Sequence, residues 1–278
     1  MRVLVASEAD VASVNQRTAL LELASWEDAE PFRGLSAWTR GDLRLVSIPE
    51  HHLYRDGLDR DLAAHFGSAP ELVVYLSMHR AESLTPSLTV HPVGNPSAAA
   101  FGGRPGALVP ASPAWMTGAL RGLREHAAGL SYAVTFEATH HGPYLETPTF
   151  YIEQGSTERE WSDAAASRAI ARTLLDLRPA DGPVAIGLGG GHYVPRHSDV
   201  AFARRVAFGH LLSTRVLESA DPGILDAAVA RTPEARIAYV HRKSLGKADL
   251  RAWETRLESL GLRVVREADL DALRAKTS

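Results

Sequence analysis

The chain has 278 residues, 45% of them apolar and 23% charged, and its formal net charge at pH 7 is −3. This composition is typical of a globular protein and argues against nucleic-acid binding through overall charge, although a local basic patch is compatible with it. Cysteine is absent, so disulfides and thiolate ligands are excluded, and a metal site must use the 12 histidines or the carboxylates. Apolar runs are too short for a membrane helix or a signal peptide, and we expect a cytoplasmic protein.

Strand patterns and helix patterns alternate along the chain. The predicted strands are MRVLVA, LRLVSI, ELVVYLS, SLTVHPV, YAVTFEAT, TPTFYIEQG, PVAIGLGGGHY, FARRVAFGHLLST, RIAYVHR and LRVVRE. Stretches with helical spacing begin at Asp10, Ala114, Thr157, Asp221 and Lys247. Residues 94–113 are predicted to form a long loop. Near-continuous apolar strands between helices favour an α/β fold with a mixed, largely parallel central sheet flanked by helices. No linker is evident, so we expect residues 1–278 to form a single domain.

Several predicted strands end in histidine. ELVVYLSMH ends at His79, YAVTFEATHH at His140 and His141, PVAIGLGGGH at His192 and RIAYVH at His241. In open α/β sheets, ligands bind outside the carboxyl ends of the strands. One such histidine is more often a hydrogen-bonded structural residue, but several at equivalent places favour a functional site at this edge.

The stretch EATHHGP (137–143) does not make a site alone. In a regular strand Glu137 and His141 share a face but lie roughly 13 Å apart, and His140 points the other way. They reach one metal only if the chain bends, for which Gly142-Pro143 is a plausible position. Partners from other strands are therefore required.

The stretch GLGGGHY (187–193) follows a buried strand and carries three consecutive glycines. Such a loop lets the backbone approach a ligand and turn N–H groups toward an anion, as a phosphate cradle or an oxyanion hole. A tight turn is the alternative interpretation. The chain lacks the P-loop and G-x-S-x-G motifs, and the spacing does not fit a dinucleotide fingerprint.

Other candidates carry weaker signals. His91 and Asn95 precede the long loop and fit either a turn or a site, while His51 and His52 are predicted to be surface residues. Further along the chain, candidates near the glycine loop and in the basic stretch HRKSLGK are Arg196, His197, Lys243 and Lys247. The basic stretch fits RNA phosphate or a solvated loop.

Six motifs together resemble the archaeal and plant type of D-aminoacyl-tRNA deacylase. They are SMHRAE, LTVHPVGN, EATHHGP, GLGGGHYVPRHSD, AFGHLL and KSLGK. The resemblance implies a cytosolic enzyme of translation quality control that hydrolyses the ester between a D-amino acid and tRNA, including aldehyde-modified D-aminoacyl groups. It also implies bound zinc and a fold similar to that of phosphorylases and peptidyl-tRNA hydrolases. The partner is then a D-aminoacyl-tRNA, with no membrane, no DNA and no obligate protein partner.

The resemblance and the strand-end pattern together suggest roles for the candidates. As zinc ligands we expect His79, His140 and His192, with His141 close behind; as catalytic groups we expect His141 and Glu137, with the N–H groups of Gly190 and Gly191 as oxyanion donors. The expected substrate-binding residues are His91, Asn95, Arg196, His197, Lys243 and Lys247. Because lysine is scarce, tRNA binding must use a local, mainly arginine patch.

Two other functions are compatible with the same residues. One is a phosphorylase or a peptidyl-tRNA hydrolase-like enzyme, with GGGH holding phosphate. The other is a non-catalytic RNA-binding protein, which is disfavoured by the histidines crowded at strand ends.

Overall fold

A computed structural model describes residues 1–219, 221 and 223–273. The larger of its two sheets has eight strands in the order β2-β3-β4-β1-β5-β8-β6-β7. These are β1 (Arg2–Ser7), β2 (Glu27–Phe32), β3 (Leu35–Arg40), β4 (Leu43–Ile48), β5 (Leu72–Arg80), β6 (Ser87–Pro92), β7 (Ala133–Phe136) and β8 (Thr149–Ser156). The smaller sheet has the order β10-β9-β11-β12 and consists of β9 (Val184–Leu188), β10 (Ala207–Leu212), β11 (Ala235–Val240) and β12 (Arg263–Val265).

Helices flank both sheets. They are α1 (Val11–Leu23), α2 (Leu58–Phe66), α3 (Pro113–His126), α4 (Glu158–Trp161), α5 (Ala164–Leu175), α6 (Pro195–Ala203), α7 (Thr214–Ser219), α8 (Ile224–Ala230) and α9 (Lys247–Ser259). Short 3₁₀ helices span His52–Tyr54, Arg242–Ser244 and Glu267–Asp269. Within the described residues, no helix combines the length and the apolar character needed to cross a membrane.

Most strand pairs are parallel, which confirms the predicted mixed, largely parallel α/β fold. Strands β1, β4, β5 and β8 run in the same direction, and all pairs of the smaller sheet are parallel. Strands β6 and β7 are parallel to each other but antiparallel to β8. The carboxyl ends of β5 and β7 therefore point in opposite directions, so the prediction that their histidines meet at one edge of the sheet is wrong.

The two faces of the large sheet have different neighbours. One face packs against α1, α3 and α5 in a buried apolar cluster that also includes residues of the smaller sheet. The other face, around Tyr75 and Tyr151, packs against α2. Alternation along β5, β6 and β8 places His79, His91 and Glu153 on this second face. The functional side chains thus meet on a face of the sheet.

Two predictions of local structure need correction. The helical pattern predicted from Thr157 onward forms two helices, because the Asp163 side chain accepts a hydrogen bond from the Ala165 N–H (2.8 Å) and starts α5 anew. A capping box starts α4, with the Thr157 N–H donating to Glu160 Oε2 (3.0 Å). The β2–β3 hairpin and α2 were not predicted. Strand β2 lies at the sheet edge, is largely exposed and contains three acidic residues, so it lacks an apolar pattern.

Candidate active site

Two buried carboxylates and two buried histidines form the centre of a titratable cluster. His79 Nδ1 lies 3.1 Å from Glu137 Oε1 and 3.1 Å from Glu153 Oε2. The second oxygen of Glu153 lies 3.5 Å from His91 Nε2. Glu137 follows β7, so three neighbouring strands and the end of a fourth supply the four side chains. Charged groups buried this closely together are characteristic of functional sites.

The glycine loop of the smaller sheet closes the cluster on one side. His192 Nε2 lies 2.9 Å from Glu137 Oε2, and the Tyr193 hydroxyl lies 2.7 Å from His79 Nε2. The main chain holds the loop in place, because the Ala138 N–H donates to the His192 carbonyl (2.9 Å). The two sheets thus meet at the site.

His140 and His141 enter the site because the chain bends after β7. His141 has a φ of 39°, so the strand does not continue through it. Three histidines then face one another, with ring centroids 4.1 Å apart for His91 and His140 and 4.9 Å for His91 and His141. In each of these rings Nδ1 lies near a backbone carbonyl oxygen: that of Pro92 for His91, of Ala138 for His140 and of Gly142 for His141 (3.1, 2.8 and 2.7 Å). Donation by Nδ1 leaves Nε2 of each ring available.

The environment gives these groups different pKa values. Burial lowers the pKa of His79, but the Glu137 and Glu153 carboxylates outweigh it and raise the pKa to about 10, so His79 is cationic at neutral pH. Burial tends to raise the pKa of both carboxylates, but the neighbouring histidines bring it below its ordinary value. Burial lowers the pKa of His140 well below its ordinary value and that of His141 to about 3. His140 and His141 are therefore neutral, the form that binds metals.

The donor atoms fit a metal ion. Three sets have ligand atoms within 4.8 Å of one another: His91, His140 and His141; His79, Glu137 and His192; and His91, Glu137 and Glu153. Both Glu137 oxygens and His91 Nε2 are buried and lack a hydrogen bond to any described residue, although nitrogens or oxygens lie close by. The predicted ligands His79, His140 and His192 are thus divided between two sets. His79 also has both ring nitrogens engaged, by carboxylates and by Tyr193.

A cavity of about 770 Å³, which we call the histidine pocket, opens beside the cluster. Its lining comes from four segments: the loop 95–101, the stretch 138–141, the glycine loop 190–192, and residues 213–218 at α7. His140, His141 and His192 lie on its wall. Asn95 also lines it, with its Nδ2 donating to the Gly102 carbonyl (2.8 Å). The volume lies within the roughly 300–1,000 Å³ typical of small-molecule sites.

The glycine loop offers fewer free donors than the sequence predicted. Gly189 and Gly190 have φ of 87° and 97°, which favour glycine. The Gly189 N–H donates to the Leu212 carbonyl (2.8 Å), and the Gly190 N–H is within reach of Ser244 Oγ (2.9 Å) and Thr214 Oγ1. Within the described part of the chain, the Gly191 N–H has no such partner. Gly191 is therefore the predicted oxyanion donor that stays available.

The predicted tRNA-binding residues are spread over several places. Arg196 and Lys243 line a second cavity of about 720 Å³, which we call the basic groove, together with His241, Arg242, Arg266 and Glu267. Arg196 contacts Glu267 and the Tyr239 hydroxyl there. Lys247 is exposed at the start of α9, outside the groove lining. His197 is fully buried on α6, against Phe208 and Tyr239, and has no surface for RNA.

Sequence reasoning missed Glu153, Tyr193 and His52. His52 was predicted at the surface but is fully buried, with Nε2 3.2 Å from Asp10 Oδ2 and Nδ1 3.1 Å from the Tyr151 hydroxyl. The ring of Tyr151 in turn stacks on His91 (5.0 Å between centroids). A signal for Glu153 was present, because TFYIEQG places a carboxylate inside a buried strand, where charge requires a partner.

The sequence and the fold are both similar to those of known proteins. The sequence matches the profile of the D-aminoacyl-tRNA deacylase family over residues 66–265. A D-aminoacyl-tRNA deacylase of Methanosarcina mazei is 40% identical, covering 96% of this chain and 92% of that protein. One of Thermococcus kodakarensis is 34% identical, covering 96% of this chain and 100% of that protein. The crystal structure of a conserved protein of unknown function has a TM-score of 0.90 at 29% identity over 99% of both chains. This chain belongs to the D-aminoacyl-tRNA deacylase family.

Proposed function

We propose that this chain hydrolyses the ester between a D-amino acid and the 3′-terminal ribose of tRNA, with zinc assisting, and acts in translation quality control in the cytoplasm. Family membership supports the reaction class. The observation that carries the proposal is a buried carboxylate, Glu137, that lies beside His140 and His192 on the wall of a pocket of about 770 Å³. An aminoacyl ester needs an activated water and a stabilised carbonyl oxygen, and the cluster offers both.

Zinc fits best between His91, His140 and His141. Each ring directs Nδ1 to a backbone carbonyl, which is the usual outer contact of a metal-binding imidazole, and so presents Nε2 inward. His140 and His141 also line the pocket, so a fourth position would face substrate. When bound, zinc with three histidine ligands supplies Lewis acidity and lowers the pKa of a coordinated water to about 7.

His192 is the proposed general base. Its side chain is 49% exposed on the pocket wall, while Nε2 lies 2.9 Å from Glu137 Oε2. In this pairing His192 accepts a proton from the attacking water, and the Glu137 carboxylate orients the ring and stabilises its charged form. His192 then returns the proton to the departing ribose oxygen. The Gly191 N–H stabilises the negative charge that develops on the carbonyl oxygen.

His79, Glu153 and Tyr193 hold Glu137 in position. The cationic His79 ring lies between the two carboxylates, and Tyr193 fixes its other nitrogen. The ring thereby keeps Glu137 ionised in a buried place, where burial alone favours the neutral form.

The basic groove is the proposed contact for tRNA phosphates. Arg242, Lys243 and Arg266 line it, and His241 lies between it and the glycine loop. Phosphate contacts of this kind position a nucleic acid and make binding dependent on salt. The local patch explains how a chain of net charge −3 would bind tRNA.

The test is deacylation of D-Tyr-tRNA against L-Tyr-tRNA by the purified protein, before and after chelation and with zinc added back. We expect cleavage of the D-ester alone, with activity lost on chelation and restored by zinc. His141→Ala is expected to lower bound zinc, measured by elemental analysis, and His65→Ala serves as the control because His65 lies outside the site.

Each part of the proposal has its own contrary result. Cleavage of neither ester contradicts the assigned reaction. D-selective cleavage that persists after complete removal of metal contradicts the role of zinc alone. Unchanged zinc content in His141→Ala contradicts the ligand assignment.

A further inference from the structure

The loop 95–101 brings an exposed aromatic ring to the histidine pocket. Phe101 is 59% exposed and lines the pocket together with His140, His141 and His192. Single exposed apolar side chains are common on protein surfaces. Phe101 differs from the other large ones, Val11, Tyr54 and Leu84, because those three do not line this pocket.

The main chain around Phe101 is tied firmly to the site. The Gly142 N–H, next to His141, donates to the Phe101 carbonyl (3.0 Å), and the Asn95 side chain donates to the following carbonyl, that of Gly102. The two segments also touch, since a Cβ added to Gly142 would lie 2.3 Å from the Gly103 nitrogen. The ring is therefore exposed on a backbone that is fixed relative to the histidines.

The substrate of the proposed reaction carries a group that can contact the loop 95–101, namely the terminal base of the tRNA. The ester is attached to a ribose that also carries the terminal base, so a carbonyl placed at His140 and His192 brings that base into the same pocket. The loop wall is otherwise built from small residues, namely Pro96, Ser97, Ala98 and Ala100. A flat surface of small side chains and one aromatic ring suits the face of a base, and base–aromatic stacking is a common means of binding single-stranded nucleic acid.

We propose that Phe101 stacks on the 3′-terminal base of the tRNA and that the loop 95–101 is the binding subsite for the terminal nucleoside. This inference rests on the proposed function, since it assumes that the ester lies at the histidine wall. It assigns Phe101 to substrate binding and gives it no part in proton transfer.

The experiment compares Phe101→Ala, Phe101→Trp and the control Tyr54→Ala on D-Tyr-tRNA and on D-tyrosyl-adenosine. Tyr54 is a matched control because its ring is 63% exposed but lies outside the pocket lining. We expect Phe101→Ala to raise KM about tenfold on both substrates with little change in kcat. Phe101→Trp restores KM, because it also offers a ring, and Tyr54→Ala leaves KM unchanged.

Binding provides a test that does not depend on hydrolysis. An RNA hairpin ending in CCA is compared with the same hairpin lacking the terminal base. The base is expected to strengthen binding to the wild-type protein about tenfold and binding to Phe101→Ala hardly at all.

Three results would overturn the inference: an unchanged KM in Phe101→Ala, a loss on tRNA but not on D-tyrosyl-adenosine, or an equal contribution of the base to binding in both proteins. If the wild-type protein cleaves no D-aminoacyl ester, the proposed function fails, and the hairpin comparison still decides the role of Phe101.

Discussion

The histidine pocket and the basic groove have similar volumes, about 770 and 720 Å³, but different chemistry. The pocket wall carries neutral His140 and His141 and adjoins buried ion pairs, whereas the groove carries arginine and lysine side chains at the surface. Burial shifts proton equilibria, and exposure preserves ordinary charge. The comparison suggests that the histidine pocket performs the reaction and that the basic groove binds the tRNA.

The largest expected effect is a loss of kcat when a charge beside the histidine pocket is removed. Glu137→Gln removes the charge that orients His192, so we expect kcat on D-Tyr-tRNA to fall by about 10²- to 10⁴-fold with a small change in KM. Steady-state kinetics measure this split, and circular dichroism checks the fold. The control Glu218→Gln changes an exposed carboxylate on the same pocket and is expected to be near neutral. Equal losses in both variants would contradict the central role of Glu137.

The second prediction concerns acid pH. Burial lowers the pKa of His210, which supports the pocket by contacting Thr139, to about 4. The unfolded chain takes up this proton near the ordinary pKa of 6.5, before the folded one does, so His210 by itself lowers stability by about 1.4 kcal/mol per pH unit as pH drops from 6.5 toward 4. Urea unfolding of wild type and His210→Gln across this range measures the slope, and an equally steep slope in the variant would contradict the assignment.

The smallest expected effect belongs to the groove. Arg242→Ala is expected to raise KM for D-Tyr-tRNA roughly threefold to tenfold at moderate salt, and to reduce the slope of log affinity against log salt by about 0.7–0.9. D-Tyrosyl-adenosine, which lacks the phosphates, serves as the control substrate and is expected to be unaffected. A loss on both substrates, or an unchanged salt slope, would place the phosphate contacts elsewhere.

The α/β class and the histidine set were predictable because they rest on local patterns. Buried strands read as apolar runs, and their polar ends identified His79, His140 and His192. The reversed direction of β6 and β7 was not predictable, since it depends on which strands pair across the chain. That reversal decides that the site lies on a face of the sheet and brings in His91 and Glu153.

Exposure was also poorly predicted for polar residues. His52 is buried because Asp10 and Tyr151 satisfy its two nitrogens, and these partners are distant in sequence. His197 is buried because Gly187 leaves room for its ring, where a Cβ would lie 2.6 Å from His197 Cδ2. Neither environment is visible in the residues next to the histidine. The sequence therefore indicates which residue types carry the chemistry better than it indicates their surroundings.

The contact between Glu137 and the glycine loop has a consequence for folding. Glu137 pairs with Tyr193 across the junction of the two sheets, and the pocket is completed by residues as far apart as 95 and 218. Contacts of such long sequence range form late, after the local strands and helices. On refolding, catalytic competence would thus return after most of the helical signal. In the native ensemble, a transient separation of the sheets would abolish turnover while each sheet stays intact.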